Sequence, residues 1–325
     1  MSRLRWMTIL LSSQLIVTVV AFLWVTRGPR DYMDFVVTAD KVTLRVAASD
    51  KSGPELKSPA AILKRLEFIS PSVADGIDAM PDELFAVEET EAKAITLQPF
   101  AVAGNSLVTV SRLAGSPHTF QFEIQPALDE LRVLAQDRFA IETTSGRRET
   151  RKGDSINIVP KPTDPLVPEV PAPSIFRITL AEPHLIFSQT FQLSGINFIE
   201  SDPGTLSPFN TVQRGSIKFE YLDSKVREFS PGESIKIGAI ENGYVRILKL
   251  TDEGIHIEFA GNVLSLESAP PGSGLKADLM PTRLQKLTGD PVIKETITLV
   301  LILMTLIVGV LALFDLKERK KAKRR

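Results

Sequence analysis

The chain has 325 residues, a formal net charge of −1 and 43% hydrophobic residues. That charge balance gives no long-range attraction to a polyanion, so the reading assigns it no nucleic-acid partner. It contains no cysteine, which excludes disulfide frameworks and thiolate chemistry and fits a bacterial envelope better than a secretory lumen.

Residues 1–5 are expected as a short cytoplasmic N-terminus and 6–26 as a transmembrane helix. Trp6 to Val25 is a run of 20 residues without a charge. At about 1.5 Å per residue it spans a hydrocarbon core of about 30 Å. It is too long for a signal-peptide core, and no small-residue cleavage site precedes Arg27, so the anchor is expected to stay uncleaved. Trp6 and Trp24, the only tryptophans, stand at the two ends of the run, where amphipathic rings suit the interfaces.

Residues 27–158 read as a first extracytoplasmic module of mixed α and β structure. Phe35–Val37 and Val42–Val46 read as strands just outside the membrane. Ser58–Leu66 has the form of a helix start, with Ser58 as N-cap and Pro59 at the first helical position. Pro81–Lys93 reads as a second short helix, with Asp82 and Glu83 at its positive end. Strands are expected again at Ser106–Ser111, Thr119–Ile124 and Phe139–Thr143; Pro126–Gln136 fits either helix or loop. Glu88, Glu89 and Glu91 read as a solvated helix face.

Residues 159–174 read as a proline-rich linker. Pro160, Pro162, Pro165, Pro168, Pro171 and Pro173 exclude helix and central strand and favour a semi-rigid polyproline spacer. Residues 175–268 read as an all-β second module, a β-sandwich or small barrel. Period-two patterning recurs at Phe176–Leu180, Ile217–Tyr221, Ile235–Ile237, Val245–Leu250 and Ile255–Phe259. Turn signals lie between, at Ser230-Pro231-Gly232, Glu241-Asn242-Gly243 and Asp252-Glu253-Gly254; Asn-Gly is a strong hairpin signal. Residues 269–296 form a juxtamembrane segment, with an amphipathic helix expected within Leu275–Leu287.

Ile297 to Phe314 is a second uncharged run, of 18 residues, and 297–314 is expected as the second transmembrane helix. Thr305 and Gly309 form a small-xxx-small pair on it. Residues 315–325 are a basic cytoplasmic tail: Lys317, Arg319, Lys320, Lys321, Lys323, Arg324 and Arg325. Their excess places the C-terminus in the cytoplasm. Two spans then put both termini there and the centre of the chain in the periplasm. Membrane lipid is an expected partner, through the spans and through tail residues Lys317 to Arg325.

Gly153-Asp154-Ser155-Ile156-Asn157-Ile158 and Gly232-Glu233-Ser234-Ile235-Lys236-Ile237 share a pattern that duplicated β domains would produce. Gly153-Asp154-Ser155 also resembles the nucleophile block of GDS-type esterases. That family pairs it with D-x-x-H, but the residues three before His118, His184 and His256 are Gly115, Ala181 and Glu253. No G-x-S-x-G, H-E-x-x-H, Walker A, G-x-G-x-x-G or calcium-loop pattern occurs. Phe229 to Ile257, with its glycine turns and alternation, resembles the small β-barrel of inner-membrane assembly proteins of type II secretion and type IV pilus systems. Those proteins carry one N-terminal anchor, whereas this chain has a second hydrophobic run.

The sequence therefore reads as a two-pass membrane protein with a mainly β extracytoplasmic part. It is not read as an enzyme, and no catalytic, cofactor or metal residue is assigned. The expected role is a non-catalytic scaffold or accessory subunit of a bacterial envelope complex, with membrane or periplasmic protein partners. The alternative is an envelope sensor or binding module for a glycan or peptide.

Overall fold

The computed structural model describes residues 32–48, 56–69, 72–74, 77–78, 85–89, 95–134, 138–143, 146, 148–152, 155–160, 173–182, 184–187, 190–200, 209–219, 226–271 and 275–282, then 295, 298, 299, 302, 305 and 309. The chain is mainly β. Its principal strands are β1 (Tyr32–Ala39), β2 (Lys41–Val46), β3 (Ala61–Phe68), β4 (Leu107–Arg112), β5 (Thr119–Gln125), β6 (Ser155–Pro160), β7 (Ser174–Leu180), β8 (Phe191–Asn197), β9 (Val212–Phe219), β10 (Ser234–Ile237), β11 (Ile240–Thr251) and β12 (Gly254–Val263). Two units are distinguished. One comprises Asp31–Lys218 and Val226–Met280; the other comprises Met1–Arg30, Phe219–Lys225 and Pro281–Arg325.

Within the larger unit the strands run antiparallel in the order β1–β12–β11–β8–β2–β4–β5–β7–β3. Three strands separate β1 from β2 in that order, yet only Asp40 joins them. The sheet must therefore curl until those strands meet at a corner. The curl encloses a first core of alternating residues: Met33, Phe35 and Val37 of β1, Val42 and Leu44 of β2, Phe191, Val245 and Phe259. The Phe35 ring lies 5.6 Å from Phe198 and 6.1 Å from Phe229. A second core forms where β5, β7 and β3 adjoin. There Phe176 stacks on Phe122 at 5.2 Å and on Phe68 at 5.5 Å, with Phe100 edge-on at 5.9 Å.

These pairings correct the two-module reading. β1 and β2, expected in the first module, complete the core built from 191–269. β7, expected in the second, lies between β5 and β3. Strands from both sides of 159–174 thus share one unit, because each core needs a strand from the other half. Residues 161–172 lie outside the described residues. A protease that cuts at Val167–Val170 should consequently release nothing: the two pieces should co-elute in native gel filtration and part only in denaturant. Separation of folded fragments under native conditions would restore the two-module boundary.

The helix expectations are also corrected. Residues 61–68 of the first are strand β3, with Ala61, Leu63, Leu66 and Phe68 buried. Leu63 and Leu66 are three apart, a helical spacing, but an irregularity opposite Thr179 and Leu180 turns both inward on a strand. Ser58 is no N-cap; its buried hydroxyl accepts a hydrogen bond from Phe100 N at 3.0 Å. In Pro81–Lys93 the described residues Phe85–Glu89 are a strand, pairing Phe85 with Phe68 and Val87 with Leu66. Glu88 and Glu89 therefore sit on a strand and not on a helix face. Within Leu275–Leu287, Ala277–Asp278 is a strand paired with Glu267 and Ser268. Asn242-Gly243 is no hairpin turn either, for it lies inside β11. Asp252-Glu253-Gly254 and Ser230-Pro231-Gly232 do turn the chain, with Gly232 at φ 78°.

Among the described residues no helix is long and apolar enough to cross a membrane. The whole of 6–26 lies outside them. Of 297–314, Thr298, Leu299, Ile302, Thr305 and Gly309 are described; all are helical and exposed.

Candidate functional site

The sequence candidates are scattered. Ser155 opens β6 opposite Leu134 and accepts a long hydrogen bond from Arg132 Nη2 at 3.4 Å. An arginine cannot serve as the base that a serine nucleophile needs. His184 opens the His184–Phe187 strand, His118 precedes β5 and His256 lies in β12. His256 Nδ1 lies 3.3 Å from Thr38 Oγ1, and its Nε2 lies 3.5 Å from Glu258 Oε1. No group of three potential metal ligands occurs among the described residues. In Gly232-Glu233-Ser234 the acid closes its own turn: Glu233 Oε2 accepts from Ser230 N at 3.2 Å and Oε1 from Arg227 Nη2 at 2.7 Å. Asp154 lies outside the described residues, so the matching turn before β6 has no counterpart to compare.

The β1–β2 corner gathers polar groups by necessity, since a sheet that bends leaves backbone groups to satisfy. Asp40 Oδ1 accepts from Arg112 Nε at 2.9 Å and Gln213 Nε2 at 2.8 Å. Arg112 Nη1 reaches the Asp252 carbonyl at 2.5 Å. The hydroxyl of buried Thr211 lies 2.6 and 2.7 Å from the carbonyls of Lys41 and Phe198 and donates its one proton to either. A cleft lined by Arg112, Leu113, Gly115 and Ser116 opens beside them. Its two charges, Asp40 and Arg112, are engaged with each other, and this ties the corner together.

A second cluster forms on the outer face of the curled sheet. Alternation places Tyr32 and Asp34 on that face of β1, and Tyr244 on the same face of β11. Between them, in β12, stands Ala260, paired with both Asp34 and Tyr244. Its small side chain lets groups from the two outer strands meet across it. The Tyr32 and Tyr244 hydroxyls are 2.7 Å apart, and Arg246 Nη2 donates to them at 3.3 and 3.4 Å. Arg246 Nη1 lies 3.2 Å from Asp34 Oδ1, and its guanidinium lies over the Tyr244 ring at 5.6 Å from the centroid.

Burial, followed by the bond to Tyr244, holds the Tyr32 hydroxyl above its ordinary range. The bond from Tyr32, then that from Arg246, holds Tyr244 below it. The two hydroxyls share one hydrogen bond and titrate as a pair, and Arg246 stands over the charge that forms when the first proton leaves. The sequence reading did not find this cluster. Its first strand begins at Phe35 and leaves out Tyr32 and Asp34, and the pairing that brings Tyr244 to Tyr32 spans 212 positions.

No family model matches the chain, and no curated protein matches it. Among solved structures it is similar to SCP-B, a member of the eqolisin family of peptidases, in a complex with the tripeptide Ala-Ile-His. The identity is 11%, over 72% of this chain and 98% of that one, with a TM-score of 0.12. A score that low carries no argument about fold or activity.

Proposed function

We propose that the chain is a non-catalytic scaffold or accessory subunit of a bacterial envelope complex, anchored in the inner membrane by spans at 6–26 and 297–314. In this reading both termini are cytoplasmic and the β unit is periplasmic, with the tail from Lys317 to Arg325 against anionic lipid.

The supporting observation is where the β unit's two chain ends lie. β1 begins at Tyr32, which pairs with Asn262 near the last residue of β12. The unit's final segment passes the same place, where Leu279 N donates to Leu266 O at 2.8 Å, just beyond that end of β12. Both ends of the unit thus lie at one end of its first core. A body held by two anchors in a single bilayer needs that arrangement. The rest of the unit is then free to meet protein partners, and it offers exposed apolar residues on short outer strands, Ile186 and Val226.

The test is purification of the full chain from membranes in mild detergent, alongside Ser155→Ala and His118→Ala, His184→Ala and His256→Ala variants. Membrane or periplasmic proteins should co-purify in fixed ratio with every one of these, and a reporter inserted in 161–172 should read as periplasmic. A chain that purifies alone, with Ser155 labelled by a serine-reactive probe and loss of its cellular role in Ser155→Ala, would overturn the scaffold in favour of a hydrolase.

A further inference from the structure

Thiols, indoles and phenols are the side chains that give up a single electron most readily. The β unit has no thiol and no indole, since the chain lacks cysteine and both its tryptophans lie in the first hydrophobic run. Tyrosine is left as that unit's site for one-electron oxidation. The chain holds three tyrosines, Tyr32, Tyr221 and Tyr244, and two of them meet. The hydroxyls of Tyr32 and Tyr244 lie 2.7 Å apart although 212 positions separate the residues.

The arginine beside the pair is placed by an irregularity in the ladder. Val245 stands opposite Phe259 and Ile247 opposite Glu258, so Arg246 is the extra residue of a β-bulge. A bulged residue is released from the ladder and its side chain can be re-aimed. Here the guanidinium lies back over the Tyr244 ring and donates to both hydroxyls at 3.3 and 3.4 Å, while Asp34 holds its other nitrogen at 3.2 Å. A cation in that position steadies the charge left when one hydroxyl loses its proton. A phenolate gives up an electron more easily than a phenol. Both rings are half-buried on the outer face, backed by the sheet on one side and open to a small oxidant on the other.

We propose that Tyr32 and Tyr244 form an oxidative cross-link, a dityrosine that joins β1 to β11 across β12, with hydrogen peroxide as the oxidant acting through a haem peroxidase. Each ring loses one electron and its phenolic proton. The two radicals join through one ε carbon of each ring, and the hydrogens on those carbons pass to the oxygens and restore both phenols. Two electrons and two protons leave the pair in all, and they reduce one peroxide to two waters. Both strands are held by their ladders with β12, so the rings have only to turn about their own side-chain bonds. The step needs neither a membrane nor a partner protein. Its product closes a loop from 32 to 244. A link over so long a loop stabilises chiefly by restricting the unfolded chain, as a disulfide does. It gives the curled sheet a covalent closure in a chain that has no thiol to make one.

The test treats the full chain, in detergent, with hydrogen peroxide and a haem peroxidase, followed by trypsin. Cleavage after Lys and Arg leaves Tyr32 in peptide 31–41, Tyr221 in 219–225 and Tyr244 in 237–246. The main product should join 31–41 to 237–246, lighter by two hydrogens than the sum of the two and with the blue fluorescence of dityrosine. The chain should stay monomeric in a denaturing gel. Tyr32→Phe and Tyr244→Phe should each abolish the product, whereas Tyr221→Phe should leave its yield unchanged. The linked chain should unfold at a higher urea concentration than the unlinked one. Links through 219–225 or between chains in equal yield would overturn the inference, because they mark oxidation at random. So would the absence of any link when the same oxidant couples free tyrosine in a parallel sample, or a linked chain that unfolds at the unlinked midpoint.

Discussion

Phe176→Ala should remove about 3–5 kcal/mol of stability, the range for truncating a fully buried phenylalanine. The ring is completely buried, stacked within 6° of parallel on Phe122 and within 25° on Phe68, with Phe100 edge-on to it. Truncation leaves three aromatic neighbours facing one cavity. A folded domain has only about 5–15 kcal/mol in total, so the midpoint of thermal unfolding, followed by circular dichroism, should fall by roughly 10 °C. Phe176→Leu should cost much less because most of the volume remains. The same variant decides the domain organisation. If β7 belongs to the core of β5 and β3, the double variant with Phe122→Ala should depart from additivity by at least about 0.5 kcal/mol, while that with Phe259→Ala should add. The reverse pattern would mean that β7 packs with the strands after the proline-rich segment.

Gly261→Ala should be nearly as costly, for a different reason. A Cβ at 261 would lie 2.4 Å from Gly243 Cα and 2.7 Å from the Asn242 carbonyl oxygen, both of them backbone atoms. Gly243 is its cross-strand partner, and the Phe259 ring fills the space above the pair. Neither strand can yield without moving the ladder between β11 and β12. The expected loss is about 3 kcal/mol, at the upper end for overpacking. Gly195→Ala is the internal comparison: its nearest neighbour is Arg45 Cβ at 3.5 Å, an ordinary contact. There the smaller entropy of the unfolded chain should leave stability unchanged or raise it by about 0.4–1 kcal/mol. Equal effects at 261 and 195 in urea denaturation would show that the close approach of β11 and β12 is wrong.

The strands that alternate cleanly, Val42–Val46, Thr119–Ile124, Phe176–Leu180 and Ile255–Phe259, could be read from the chain because period-two burial is a local property. The two long uncharged runs and the charges beside them are local in the same sense, and they alone carry the expectation of a two-pass topology. What the sequence could not determine is which strand lies beside which. Leu63 and Leu66 look helical until the irregularity opposite Leu180 turns both into the core. Asn242-Gly243 looks like a turn until Gly261 and Phe259 are found to need a slot there. The proline-rich segment marks a break in the chain but not in the body, since β1 and β2 close one core and β7 the other. The Tyr32–Tyr244–Arg246 cluster exists only because Ala260 is small and stands between their strands. Pairing partners in a β fold are chosen by side-chain complementarity across hundreds of positions, and only the tertiary structure brings those positions together.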